Sequence, residues 1–228
     1  MRLNRLGIAA GGVYLGLSLL FVWLARPGGA AWPIVLWSVA VAAAGCFVPG
    51  EANQVSLARA YLAGPALAYS LAGSFAALAL VVAVAGLSDL VDGTVARRFE
   101  RPTTLGGGLD PVVDGILMGA IVTGLALGGA IPAWLGVVVI ARYLLPAVGG
   151  LVLIALHRRP ELRHTLTGQV STSLVLILIG GICLFRGLNQ DSSGLVAAAE
   201  VVIPVATVAT YIHLAWVSRR PVAAPGPG

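Results

Sequence analysis

Asp89 and Asp92 stand one helical turn apart, and so do Asp110 and Asp114. With Glu100 they make five of the chain's nine acidic residues, all between Ser88 and Gly115. On a helix, positions 89, 92, 93, 96 and 97 share one face by their 3,4 spacing. That face reads Asp, Asp, Gly, Ala, Arg: two carboxylates, a groove left by two small residues, and a cation closing the row. The linker "RFERPTTLGGG" is short and turn-rich, so the helices on either side of it are expected to be antiparallel neighbours with their four carboxylates converging. Carboxylates crowded into a low dielectric repel one another strongly. Hard oxygen ligands of this kind suit Mg²⁺, Mn²⁺ or Ca²⁺. Gly93, Ala96 and the run Gly106-Gly107-Gly108 let a phosphate approach the backbone closely, and a metal bridging a pyrophosphate is the natural occupant. Two other readings use the same acids: structural pairing with arginine on a neighbouring helix, and a cation or proton path in a transporter.

The elements that carry these acids must be membrane helices. Hydrophobic residues make up 58% of the chain and charged residues 10%, with a mean hydropathy of +0.96. A soluble domain carries about 25% charged residues, and 228 residues cannot hide this much apolar surface in one core. Open sheet edges cannot be satisfied in lipid, and the apolar runs lack the period-two alternation of a transmembrane barrel. An all-α integral membrane protein is therefore expected.

A span needs about 20 apolar residues. Eight candidates follow: Leu6–Ala25, Ala31–Val48, Leu57–Ala72, Ser74–Val95, Leu109–Gly129, Ala133–Leu156, Gly168–Phe185 and Leu195–Trp216. The third and fourth form one apolar stretch, broken here at Gly73-Ser74. Arg-Pro follows the first span without a clean small-residue cleavage site, so that span reads as a retained helix. The tail "PVAAPGPG", residues 221–228, reads as disordered.

All fourteen cationic Lys or Arg positions are arginine. With a cytoplasmic N-terminus, Arg2, Arg5, Arg59, Arg97, Arg98, Arg101, Arg158, Arg159, Arg163, Arg219 and Arg220 fall at the inner side, and only Arg26 and Arg186 at the outer side. That asymmetry predicts both termini in the cytoplasm and the acidic window at the cytoplasmic face of the cell membrane. Arginines scattered between apolar spans do not make a nucleic-acid surface. Cys46 and Cys183 lie in apolar runs and read as small buried hydrophobes. Glu200 and His213, inside the last span, are expected to make helix–helix hydrogen bonds.

The acidic window resembles the signature of the CDP-alcohol phosphotransferase family, D-x2-D-G-x2-A-R-x8-G-x3-D-x3-D, at every specified position: Asp89, Asp92, Gly93, Ala96, Arg97, Gly106, Asp110 and Asp114. "NQVSLAR" and "LDPVVDG" look like the starts of the family's first and third helices. The resemblance implies a six-helix domain over residues 53–220, preceded by a two-helix extension over 1–52. It implies that an acceptor hydroxyl attacks the β-phosphate of a CDP-alcohol and that CMP leaves. Carried over by position, Asp89, Asp92 and Asp110 are metal ligands, and Asp114 is a ligand or the general base. Gly93, Ala96, Arg97 and Gly106 are implied to contact the CDP moiety, and the cofactor is implied to be Mg²⁺ or Mn²⁺. The expected donor is CDP-diacylglycerol, within membrane lipids, and a homodimer is compatible with the resemblance.

For the acceptor, "PAWLGVVVIARYLLP" and "TGQVSTSL" resemble the phosphatidylglycerophosphate synthase branch, and "LDP" points away from the inositol-phosphate branch. Gln169 and Ser171 stand where that first branch often carries lysine. Arg142, Arg59 and Arg163 are the candidate cations for a phosphorylated acceptor such as glycerol 3-phosphate, with phosphatidylglycerol, inositol phosphate or serine as alternatives. Arg142, inside the sixth span, needs an anionic partner; the two candidates are Glu200 and the acceptor's phosphate.

Overall fold

A computed structural model of the chain describes residues 4–25, 31–48, 50–99, 106–155 and 166–218. These form eight helices: α1 (Arg5–Ala25), α2 (Ala31–Gly45), α3 (Glu51–Leu71), α4 (Phe75–Phe99), α5 (Gly106–Leu127), α6 (Ala133–Ala155), α7 (Leu166–Gly187) and α8 (Ser193–Ser218). No strand occurs among the described residues. α1, α7 and α8 contain stretches long and apolar enough to cross a membrane by themselves, and α2, α4, α5 and α6 carry shorter apolar stretches. Leu80, Leu127, Val137, Ile177, Val201 and Ile212 point outward and are exposed, as lipid-facing residues must be. The chain is an all-α membrane protein.

α3 begins six residues before the apolar run that announces it, because polar residues in its first turns are buried with partners. Gln54 Nε2 donates to the carbonyls of Gly45 (2.9 Å) and Val48 (2.7 Å), just beyond α2. Trp37 Nε1 on α2 donates to Ala60 O at 2.7 Å. The α1–α2 hairpin is thus fastened to the outer side of α3. The break between α3 and α4 falls at Gly73, whose φ of 66° suits glycine.

The remaining six helices close into a ring. α3 packs against α4, α4 against α7, α7 against α8, α8 against α6, α6 against α5, and α5 against α3. Small residues let the backbones approach. A Cβ at Gly124 would collide with Ser70 across the α3–α5 contact, and one at Gly86 would crowd Leu176 across α4–α7. Inside the ring, Leu78, Ile121, Leu125, Leu135, Val139, Val175, Ile179, Ile182 and Ile203 are fully buried in one apolar core. α4 and α5 are separated in sequence by residues 100–105, and α3 is packed against both. The two acid-bearing helices face each other across a cavity rather than through an intimate two-helix seam.

Candidate functional site

The cavity lies inside the ring and has a volume of about 40 Å³. Its polar lining is Arg59 from α3, Asp114 from α5 and Thr172 from α7, with Ala85 and Gly86 of α4 and Tyr143 of α6 completing the wall. Five of the six ring helices therefore contribute to it. Gly115 lets α6 come close beside Asp114, since a Cβ there would sit 3.0 Å from the Tyr143 Cβ.

Arg59 Nη1 donates to Asp114 Oδ1 at 2.6 Å. The Arg59 side chain is 3% exposed and the Asp114 side chain 27%. A short charge-assisted bond of this kind fixes the carboxylate's orientation. Arg59, expected among the acceptor cations, is thus engaged with one of the expected metal ligands.

Arg142 is buried on α6. Its Nη2 donates to Thr172 Oγ1 at 3.2 Å and its Nη1 lies 3.5 Å from Thr207 Oγ1 on α8. Among the described residues Glu200, one of the two candidate partners, does not pair with Arg142. Glu200 lies seven residues before Thr207, about 10 Å along α8 at 1.5 Å per residue. It lines a separate cleft of about 550 Å³ with Arg186, Ser193 and the α5–α6 turn. Among the described residues Glu200 and His213 do not make the expected helix–helix hydrogen bonds either; His213 packs its ring against Trp216 in its own helix, centroids 6.1 Å apart. Arg186 is held at the end of α7, donating to Ser192 Oγ (3.1 Å) and Ala130 O (3.2 Å) and lying over the Phe75 ring.

Asp89, Asp92, Gly93, Ala96 and Arg97 fall on the last third of α4, and Gly106 and Asp110 on the first turns of α5. Their side chains lie outside the described residues, as does Arg163. α4 ends and α5 begins at the same end of the ring, so the four aspartate positions of the window share that end. Carboxylate oxygens are the donors a hard divalent cation takes, and of the four it is Asp114 that stands at the cavity edge. Sequence reasoning missed Thr172, Thr207 and Tyr211. Tyr211 of α8 donates its hydroxyl to Arg142 O at 3.0 Å, the carbonyl that Pro146, four residues on, leaves without its helical N–H.

A ring of membrane helices with acids on two members and buried arginines on two others around one cavity defines a polytopic protein with a charged centre. The chain belongs to the CDP-alcohol phosphatidyltransferase family, whose model matches residues 51–216. This family works with divalent metal ions. The chain is 31% identical over 145 residues to a probable cardiolipin synthase (CMP-forming) of Drosophila melanogaster, covering 56% of this chain and 45% of that one. It is 30% identical over 134 residues to a probable phosphatidylglycerophosphate synthase of Mycobacterium tuberculosis, covering 58% and 62%. It is 30% identical over 139 residues to a cardiolipin synthase (CMP-forming) of Streptomyces coelicolor, covering 60% and 61%. The chain thus spans 45% to 62% of the length of these relatives.

Proposed function

We propose that this protein transfers a phosphatidyl group from CDP-diacylglycerol to an acceptor alcohol, releasing CMP, at the cytoplasmic face of the cell membrane. Residues 53–220 are the catalytic membrane domain in this reading. The observation that carries it is that Asp114, Arg59 and Thr172 border the same cavity, with Arg142 on the Thr172 hydroxyl. An acid able to take a proton and a cation able to hold a phosphate are thereby brought to one place. The complete eight-residue signature supports it independently.

In the reaction, the acceptor's hydroxyl oxygen forms a bond to the β-phosphorus of the donor. The bond from that phosphorus to the bridging oxygen breaks, and the bridging oxygen leaves on CMP. The hydroxyl proton passes to a carboxylate, which we assign to Asp114. Asp89, Asp92 and Asp110 would hold Mg²⁺ or Mn²⁺, with Asp114 at the edge of the set. When bound, such an ion neutralises the pyrophosphate and the developing charge on the leaving oxygen. Gly93, Ala96, Arg97 and Gly106 would receive the CDP moiety. Arg59 orients Asp114, and Arg142 would grip the acceptor's phosphate, which a guanidinium can do bidentately.

The acceptor we favour is glycerol 3-phosphate, on the resemblance of the Arg142 segment and on the relative named as a phosphatidylglycerophosphate synthase. Phosphatidylglycerol is the second reading. It is favoured by the relatives named as cardiolipin synthases and by Ser171, whose hydroxyl is turned to Ala206 O on α8 at 3.2 Å and adds no cation. A CMP-release assay with CDP-diacylglycerol and each acceptor in turn separates them. CMP release with neither of these, nor with inositol phosphate or serine, would refute the proposed function.

A further inference from the structure

Pro146 lies inside α6 and has no N–H. In an unbroken helix that N–H would bond the carbonyl of residue 142. The carbonyl left without its helical donor is therefore that of Arg142, the residue whose guanidinium bonds Thr172 at the cavity wall. A donor comes from another helix. The Tyr211 hydroxyl of α8 lies 3.0 Å from Arg142 O and 3.3 Å from Ala141 O. One turn earlier on α8, Thr207 receives the Arg142 guanidinium. The Thr207 hydroxyl donates to Ile203 O at 2.7 Å, so its hydrogen is committed and a lone pair is left to face the arginine. α8 thus holds Arg142 at both ends, backbone and guanidinium.

We infer that Tyr211 is a positioning residue for acceptor recognition: by supplying the hydrogen bond that Pro146 removes from Arg142 O, it sets where the Arg142 guanidinium meets the phosphate of the acceptor. This rests on the proposed role of Arg142 as the phosphate-binding cation. The chemistry it recognises is a phosphate monoester or diester beside a free hydroxyl, which glycerol 3-phosphate and phosphatidylglycerol both offer. The proline is what makes the tyrosine necessary. Pro146 is exposed, so alanine there restores the N–H without opening the core.

The test is a double-mutant cycle on the full-length protein in lipid vesicles, with CDP-diacylglycerol as donor and glycerol 3-phosphate and phosphatidylglycerol as separate acceptor arms. Tyr211→Phe should raise the acceptor KM about 5- to 30-fold, the cost of stranding one carbonyl. The KM for CDP-diacylglycerol should stay within about twofold on the same argument. In a Pro146→Ala background the same Tyr211→Phe change should alter the acceptor KM less than about twofold, because the helix then satisfies Arg142 O itself. The arm that shows this coupling names the acceptor. Equal effects of Tyr211→Phe in both backgrounds, or a parallel rise in both KM values, overturn the inference. Arg142→Lys is the control: if it raises the acceptor KM while Tyr211→Phe does not, only the positioning role fails. If Arg142→Lys leaves the acceptor KM unchanged in both arms, the phosphate-binding role of Arg142 fails and the positioning role with it.

Discussion

Arg59 and Asp114 come from helices whose positions differ by 55 residues in sequence, yet their side chains meet at 2.6 Å at the edge of the central cavity. The pair joins α3, which carries the N-terminal hairpin, to α5, which carries the second half of the acidic window. One contact therefore ties the scaffold to the acid we assign as the general base.

Removing the cation should leave the half-buried Asp114 carboxylate without its Arg59 partner at the cavity edge. Arg59→Ala is expected to destabilise the protein by about 1–3 kcal/mol, the range for leaving a polar group without its partner. Thermal unfolding in detergent checks this. Arg59→Lys keeps the charge and should recover part of the loss. Equal melting temperatures for wild type and Arg59→Ala would mean that the pair contributes nothing to the fold.

Asp114→Asn keeps the shape and removes the base. Turnover should fall about 10²–10⁴-fold, with a much smaller change in CDP affinity. Asp89→Asn should instead weaken metal and nucleotide binding together. Both are read by CMP release alongside equilibrium binding of CDP. An unchanged turnover in Asp114→Asn would remove it from the reaction.

Chelation with EDTA should abolish CMP release, and added Mg²⁺ or Mn²⁺ should restore it, since clustered carboxylates need a counter-ion to hold a pyrophosphate. Full activity in rigorously metal-depleted protein would contradict the ligand assignment.

Orientation can be read by labelling single cysteines from either side of sealed vesicles, after replacing Cys46 and Cys183. Positions 2, 98, 159 and 220 should react from the cytoplasmic side, and positions 129 and 191 from the other. Reaction of positions 2 and 220 from opposite sides would require an odd number of crossings.

Much of the fold was legible because apolar length is a local property. Leu6–Ala25 became Arg5–Ala25, and the break expected at Gly73-Ser74 is the turn between α3 and α4. The start of α3 was placed late, at Leu57, because buried polar residues look like loop until their partners are known; Gln54 is satisfied by two carbonyls beyond α2. The acids of the proposed site were legible because their spacing is local too. What surrounds them was not. Arg59 meeting Asp114, and Arg142 meeting two threonines instead of Glu200, depend on which helices neighbour which around the ring, and no periodicity records that. The proline four residues after Arg142 did announce an unsatisfied carbonyl, but only the ring order says that Tyr211 answers it.

The order of helices around the ring has a consequence for biosynthesis. α3, α4 and α5 can pack as soon as they leave the ribosome, since α3 touches both of the others. α4 keeps one flank bare until α7 emerges, and α6 waits for α8. Chains are made from the N-terminus onward, so the acids and Arg59 are in place while Thr172, Thr207 and Tyr211 are still to come. The nascent protein thus acquires its carboxylates first and its grip on Arg142 last, and a chain cut short before α8 would keep the whole acidic signature yet lack the helix that seats that arginine.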